Sequence, residues 1–182
     1  VGSEMCIRDS LSFVLGLQGP CVSYDTACSA ALVASHAALR ALQLDECSPA
    51  LSVGVNLMLL PVVGFSFAVA GMTSPTGRCH TFDTRADGYA AAEGCLVSTL
   101  RPSQDPDVHL SLCGSAVRQD VRGARLIAPS GNTQRGVVAA TFAELQPAPA
   151  ATACIEAHRT GTVLGDPIKV GSPHSSVLMG RG

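Results

Sequence analysis

Two short stretches of the sequence carry residue types that can do chemistry. The first is Tyr24-Asp25-Thr26-Ala27-Cys28-Ser29-Ala30, where an apolar stretch ends, small residues allow a tight turn, and a long apolar helix is expected to begin. A thiol at the head of a helix meets free N–H groups and the positive end of the helix dipole, and both stabilise a thiolate. The same N–H groups can hold the oxyanion formed when that thiolate attacks a carbonyl. Cys28 is read on this basis either as a nucleophile or as one more buried thiol among eight cysteines. The second stretch is Glu156-Ala157-His158-Arg159-Thr160-Gly161-Thr162. A histidine that follows a short apolar strand in a Thr/Gly loop stands where open α/β sheets bind ligands, although an ordinary loop histidine has the same look. Cys28 and His158 are far apart in sequence, so only a fold can unite them.

The other candidates are weaker. No two of the eight cysteines form a C-x-x-C pair, which removes a structural zinc site, and the chain is too long to need disulfides in place of a core. Reduced, mostly buried thiols in an intracellular, cytoplasmic protein are therefore expected. His36 falls on the apolar helix and His109 in a strand, both ordinary places for a structural histidine.

Elements that position these residues can be read from pattern and punctuation. Leu11–Leu17 is apolar and stops at Gly19-Pro20. Cys21–Tyr24 reads as a short strand, and Ala27 to about Leu44 as a helix buried on most faces. Ala50–Leu59 reads as a buried strand, followed by a loop and a short apolar helix around Gly64–Ala70. Strands are further expected at Cys95–Leu100, Val108–Val117 and Ala153–Ala157, and a helix at Gln134–Leu145. Strands alternating with helices favour a parallel or mixed sheet with helices on its faces. Residues 1–10 stand apart as an unmatched segment, foreign origin being one reading of them.

Composition removes several classes of function. The 182 residues are 47% hydrophobic and 14% charged, carry a net charge of −2, and have a mean hydropathy of +0.31. Disorder needs the opposite balance. A nucleic-acid binder needs a basic run, and here the basic residues are scattered singly while aromatics make up only 4%. The stretch from Cys47 to Gly77 has no Asp, Glu, Lys or Arg, and Leu51–Gly71 is long enough to cross a bilayer. Asn56, Pro61, Gly54 and Gly64 interrupt it, and Leu51, Val53 and Val55 alternate, so a buried strand and helix are expected and no membrane span.

Four motifs then carry a family resemblance. Tyr24–Leu32 (YDTACSAAL) resembles the D-T-A-C-S-S-S-L signature of β-ketoacyl synthases in the polyketide synthase branch. Gly77–Gly94 (GRCHTFDTRADGYAAAEG) is similar to G-R-C-K-x-F-D-x-x-A-D-G-Y-x-x-G-E-G, Ala128–Gln134 (APSGNTQ) to A-P-N-G-x-x-Q, and Glu156–Ile168 (EAHRTGTVLGDPI) to E-A-H-G-T-G-T-x-L-G-D-P-I. All four stand in the family's order.

The resemblance implies an α/β, thiolase-like fold, a layered α-β-α-β-α sandwich, with only its central part present. Residues 11–105 would be the rear of the N-terminal half, with the nucleophile, and residues 106–182 the front of the C-terminal half. It implies decarboxylative Claisen condensation, with Cys28 taking the acyl chain and His158 stabilising charge on the malonyl thioester carbonyl. Thr160 and Thr162 match threonines that hydrogen-bond the pantetheine arm. The domain itself would bind no cofactor and no metal, since phosphopantetheine arrives on the substrate. Expected partners are an acyl carrier protein or acyl-CoA thioesters, with a homodimer in the full-length domain and no nucleic acid.

The sequence departs from the pattern at definite places. A second family histidine, in K-x-N-I-G-H, does not occur within the 182 residues, and His174 has other surroundings. Condensing activity is therefore not expected of these residues alone. Arg159 replaces a glycine, Lys169 a glutamate and Val121 a glycine. A cation beside His158 disfavours its imidazolium, and Lys169 would repel the lysine that the glutamate normally pairs. These two changes support an alternative, a non-catalytic condensing-enzyme relative that acts as a structural or acyl-binding partner. A Cys–His hydrolase shares the nucleophile logic but leaves Gly77–Gly94 unexplained.

Overall fold

The computed structural model describes residues 2–104, 110–120, 129–145, 154–158, 161 and 171. The chain divides into two compact units, each made from two stretches. One is Val1–Asn56 with Glu93–Leu112, and the other Leu57–Ala92 with Cys113–Gly182.

In the first unit, helix α1 spans Gly2–Leu15 and a single 3-10 turn, Ala27–Ser29, leads into α2, Ala30–Gln43. Strand β1, Ala50–Asn56, pairs antiparallel with β2, Gly94–Leu100, in a register that sets Val53 opposite Val97. The pairing differs from the parallel or mixed sheet expected, because among the described residues β1 and β2 are the only named strands and they run in opposite directions. β1 also stops at Asn56, three residues short of Leu59. Its ladder partner runs out at Gly94, and Pro61 then opens the next helix.

The small residues of β1 face α2. Ser52 is buried, its hydroxyl lies 3.0 Å from that of Ser35, and Ser35 also donates to the Ala31 carbonyl at 2.9 Å. A Cβ on Gly54 would stand 3.0 Å from that of Ala31, so this glycine lets the helix lie close to the strand. The alternating Leu51, Val53 and Val55 lie on the other face and are 39%, 40% and 62% exposed. Alternation identifies the strand, but the face it marks is open in this chain. α2 is likewise half-buried and not enclosed: Ala41 and Leu42 are buried while Leu32 is exposed.

The expectation of mostly buried thiols is corrected for the same reason. Cys21 and Cys47 are half-buried, whereas Cys28, Cys79, Cys95, Cys113 and Cys154 are exposed, and none of these seven is in a disulfide. In the first unit a two-stranded sheet with one helix laid along it has too little material to enclose Cys28 and Cys95.

In the second unit, α3 spans Pro61–Val69 and α4 Gly131–Ala143. Among the described residues no helix is long and apolar enough to cross a membrane. The expected strands at Cys21–Tyr24, Val108–Val117 and Ala153–Ala157 have no ladder in their described residues, which are irregular; Val108, His109 and Ala153 lie outside them. Residues 113–115 lie instead against the end of α4. The Ser115 N–H donates to Glu144 Oε2 at 3.1 Å, and Gly114 sits close to the Thr141 carbonyl.

Helix ends follow one rule. At α1, α2 and α3 the N–H two residues past Leu15, Leu44 and Ala70 donates to the carbonyl five residues before it: Leu17 to Ser12, Glu46 to Ala41, and Met72 to Phe67, at 2.9–3.0 Å. The residue between must take a left-handed backbone. Glycine fills that place after α1 and α3, and Asp45, at φ +57°, fills it after α2.

Candidate active site

Cys28 is the middle residue of the 3-10 turn and its side chain is exposed. The turn is built by strain and local bonds. Ala27 has φ +52°, a left-handed conformation that costs an L-residue about 1–2 kcal/mol. Ser29 holds it: its N–H donates to the Thr26 carbonyl at 3.3 Å, and its hydroxyl reaches both that carbonyl and Thr26 Oγ1 at 2.9 Å. The Ala30 N–H closes the next bond onto the Ala27 carbonyl. The thiol is thus presented on a sharp bend directly before α2, as a nucleophile on an exposed corner requires.

The second unit holds the other motifs, apart from Glu93 and Gly94 at the end of the Gly77–Gly94 stretch. His158 is exposed, on the irregular segment 154–158. Three residues on, the buried Gly161 accepts a hydrogen bond at 3.3 Å from the N–H of the buried Gly88, which belongs to the GRCHTFDTRADGYAAAEG stretch. That stretch is tied in turn to 72–74: the Tyr89 N–H donates to the Met72 carbonyl at 3.1 Å and the Ser74 N–H to the Tyr89 carbonyl at 2.9 Å. Within its loop, Asp83 accepts from both the side chain and the N–H of Arg85, at 2.6–3.0 Å. Those hydrogen bonds hold its carboxyl well below the usual carboxylate range and raise the guanidinium.

The APSGNTQ motif forms the start of α4. The Ser130 hydroxyl accepts from the Thr133 N–H at 3.3 Å as an N-cap, and the Ser130 N–H donates to both carboxylate oxygens of Asp120 at 3.0–3.1 Å.

Of the residues singled out from sequence, Cys28 belongs to the first unit and His158 to the second, and each is placed within its own unit. Thr160, Thr162, Arg159, Lys169 and His174 lie outside the described residues. Among the described residues no group of three His, Cys, Asp or Glu side chains could hold a metal ion. Sequence reasoning misses Ala27, Gly88, Gly161 and Asp120. Gly88 and Gly161 carry a signal, since both sit inside matched motifs. The strain at Ala27 carries none, because alanine gives no cue to a positive φ.

Residues 8–105 match the β-ketoacyl synthase N-terminal domain and residues 109–177 the C-terminal domain. The chain is 41% identical to a phenolphthiocerol/phthiocerol polyketide synthase polypeptide of Mycobacterium tuberculosis, over 100% of this chain and 10% of that protein. A mycocerosic acid synthase-like polyketide synthase of Mycolicibacterium smegmatis is 40% identical over 89% of this chain and 8% of its own length. Among solved structures, the ketosynthase from module 6 of the bacillaene synthase of Bacillus subtilis 168 superposes with a TM-score of 0.85 at 32% identity, covering 94% of this chain and 32% of that one. An oxazolomycin ketosynthase domain from Streptomyces albus JA3453 gives 0.86 at 29%, covering 97% and 32%. The chain thus spans about a tenth of the curated relatives and about a third of the solved ketosynthase chains, and shares their thiolase-like fold. With both halves of the family matched in order along its length, the chain belongs to the β-ketoacyl synthase family.

Proposed function

We propose that this chain is the central part of a ketosynthase domain that performs decarboxylative Claisen condensation in polyketide or fatty-acid synthesis. The observation that carries this reading is Cys28 exposed on a strained turn at the head of α2, in a chain of ketosynthase fold. Residues 11–105 belong to the N-terminal half and 106–182 to the C-terminal half. The Cys28 thiolate attacks an acyl-carrier thioester, its own amide contributing to the oxyanion hole. The carrier thiolate departs and takes up a proton, leaving the acyl group on Cys28. A malonyl-type thioester then loses CO2, the electrons of the broken C–C bond become an enolate, and its carbon attacks the acyl-Cys28 carbonyl. Collapse expels the Cys28 thiolate and yields a 3-oxoacyl thioester.

In this reading His158 stabilises the charge on the malonyl thioester carbonyl, and Thr160 and Thr162 bond the pantetheine arm. The partner is an acyl carrier protein or an acyl-CoA, the full-length domain is a homodimer, and the reaction runs in the cytoplasm. The domain binds no cofactor of its own.

The test uses the polypeptide at its full encoded length. An acyl thioester should add one acyl mass on Cys28, malonyl thioester should then release CO2, and Cys28→Ala should abolish the adduct. An adduct that forms equally on other thiols would overturn the reading. The 182 residues alone should condense nothing, and detectable product from them would refute that part. Arg159 and Lys169 favour the second reading, a non-catalytic relative, which predicts acylation of Cys28 with no CO2 release.

A further inference from the structure

We propose that Gly88 and Gly161 are positioning residues for His158, an inference that rests on the catalytic reading of that histidine. The two glycines meet in a slot made of backbone. Gly88 has φ +133°, and a Cβ there would lie 2.7 Å from the Met72 carbonyl oxygen, the Ser74 nitrogen and the Thr73 carbonyl carbon. These are main-chain atoms tied down by the Tyr89–Met72 and Ser74–Tyr89 hydrogen bonds and the parallel bridge between Thr73 and Tyr89, so they cannot swing aside as a side chain would. From this slot the Gly88 N–H reaches the Gly161 carbonyl.

Gly161 is constrained from its own side. It has φ +63°, and a Cβ on it would stand 3.2 Å from both the Gly88 oxygen and the His80 nitrogen. Its approach to the Gly88 backbone therefore leaves less than ordinary van der Waals room for a Cβ. His158 precedes Gly161 by three residues, so the height at which the Gly161 carbonyl is gripped limits where the imidazole stands. In this proposal each glycine acts by fixing the Gly161 backbone and not by contact with substrate. A shift of about 1 Å in a catalytic group can cost on the order of 100-fold in rate.

The experiment separates two half-reactions in the polypeptide at its full encoded length. Acylation of Cys28 is followed by mass, and decarboxylation of malonyl thioester on the acyl-enzyme by CO2 release. Gly161→Ala should leave acylation within about twofold while lowering kcat for CO2 release by about 10- to 100-fold, with KM for malonyl thioester little changed. Gly88→Ala should act in the same direction and more strongly. Should that variant fail to fold, Gly161→Ala, which has to accommodate contacts of 3.2 Å and a left-handed φ but no contact under 3.0 Å, still decides the matter. CO2 release at the parent rate in Gly161→Ala, or a parallel fall of both half-reactions as a purely structural defect would give, overturns the inference. His158→Ala serves as the reference. If it loses CO2 release while Gly161→Ala keeps it, the positioning inference alone falls. If His158→Ala itself keeps CO2 release, the catalytic reading falls and takes the inference with it.

Discussion

Placing a methyl group on Gly54 should displace Cys28, the proposed nucleophile, from behind. The built Cβ would sit 3.0 Å from the Ala31 Cβ, whereas carbon atoms in relaxed contact keep about 3.5–4.0 Å. The gap between β1 and α2 must therefore open by about 0.5–1 Å at that point. Overpacking of this kind costs about 1–3 kcal/mol, and the reduced freedom of the unfolded chain returns about 0.4–1 kcal/mol. Gly54→Ala should then weaken α2 by about 0.5–2 kcal/mol. Ala31 lies one helical turn beyond Cys28, so moving α2 moves the 3-10 turn with it, and acylation of Cys28 should slow by about 10- to 100-fold. Native-state hydrogen exchange of the α2 amides reads the local stability, and mass analysis of the acyl-enzyme reads the rate. Ala31→Gly alone should cost about 1 kcal/mol of helix propensity. The double variant transfers the methyl from helix to strand and removes the clash, so its loss should fall short of the sum of the two by about 1–2 kcal/mol. Strictly additive losses, or unaltered exchange in α2 with Gly54→Ala, would refute the steric reasoning.

Three further outcomes are expected. Asp45→Gly should stabilise the end of α2 by about 0.5–1 kcal/mol, since Gly16 and Gly71 occupy the equivalent place in α1 and α3; slower exchange in the last turn of α2 checks it, and faster exchange would contradict it. Ser130→Ala removes the cap bond to the Thr133 N–H and should destabilise the start of α4 by about 1 kcal/mol, while Ser130→Asn, which can still accept that bond without a charge beside Asp120, should largely restore it; exchange of the first α4 amides reads both. The depressed Asp83 carboxyl contributes stability that is present above its unfolded value near 3.9 and is lost as pH falls through the lower folded value. Arg85→Ala should therefore move the Asp83 titration midpoint up in carboxyl NMR, and an unmoved midpoint would show that Arg85 is not the cause.

Sequence patterns locate helices α2 to α4 and strands β1 and β2 within a few residues, because each carries its own local cause. Pro61 starts α3, Ser130 caps α4, and alternation marks β1. What the patterns miss depends on partners distant in sequence. The residues at Cys21–Tyr24 and 110–117 have strand-like composition, but a strand exists only where a ladder is offered, and Ser115 finds Glu144 instead. Burial fails for a related reason. Hydrophobicity states what a residue would gain if covered, and the Leu51, Val53, Val55 face has the composition of a covered surface without a cover in this chain. The candidate site is legible as motifs and not as geometry: GRCHTFDTRADGYAAAEG and EAHRTGT stand well apart in sequence, and only the Gly88–Gly161 contact reveals that they form one junction.

The two glycines and Ala27 point to a common principle of construction around the proposed chemistry. Among the described residues, three that are not glycine have positive φ, namely Ala27, Asp45 and Phe82. Asp45 is accounted for by the closing turn of α2. Ala27 has no such helix end to satisfy; it lies at a helix beginning, where an ordinary cap would be extended. Strain persists in a fold only where the surroundings over-determine it. Here the surroundings are the two Ser29 hydroxyl contacts to Thr26, the Ala30 N–H bond to Ala27, and α2 seated closely on Gly54. At the His158 loop the same result is reached without strain, by glycines that accept the required φ and let backbone touch backbone. In both places the proposed reactive side chain is exposed, Cys28 on a 3-10 turn held by the Ser29–Thr26 bonds and by α2 lying close on Gly54, and His158 three residues before a glycine whose backbone is gripped by that of Gly88.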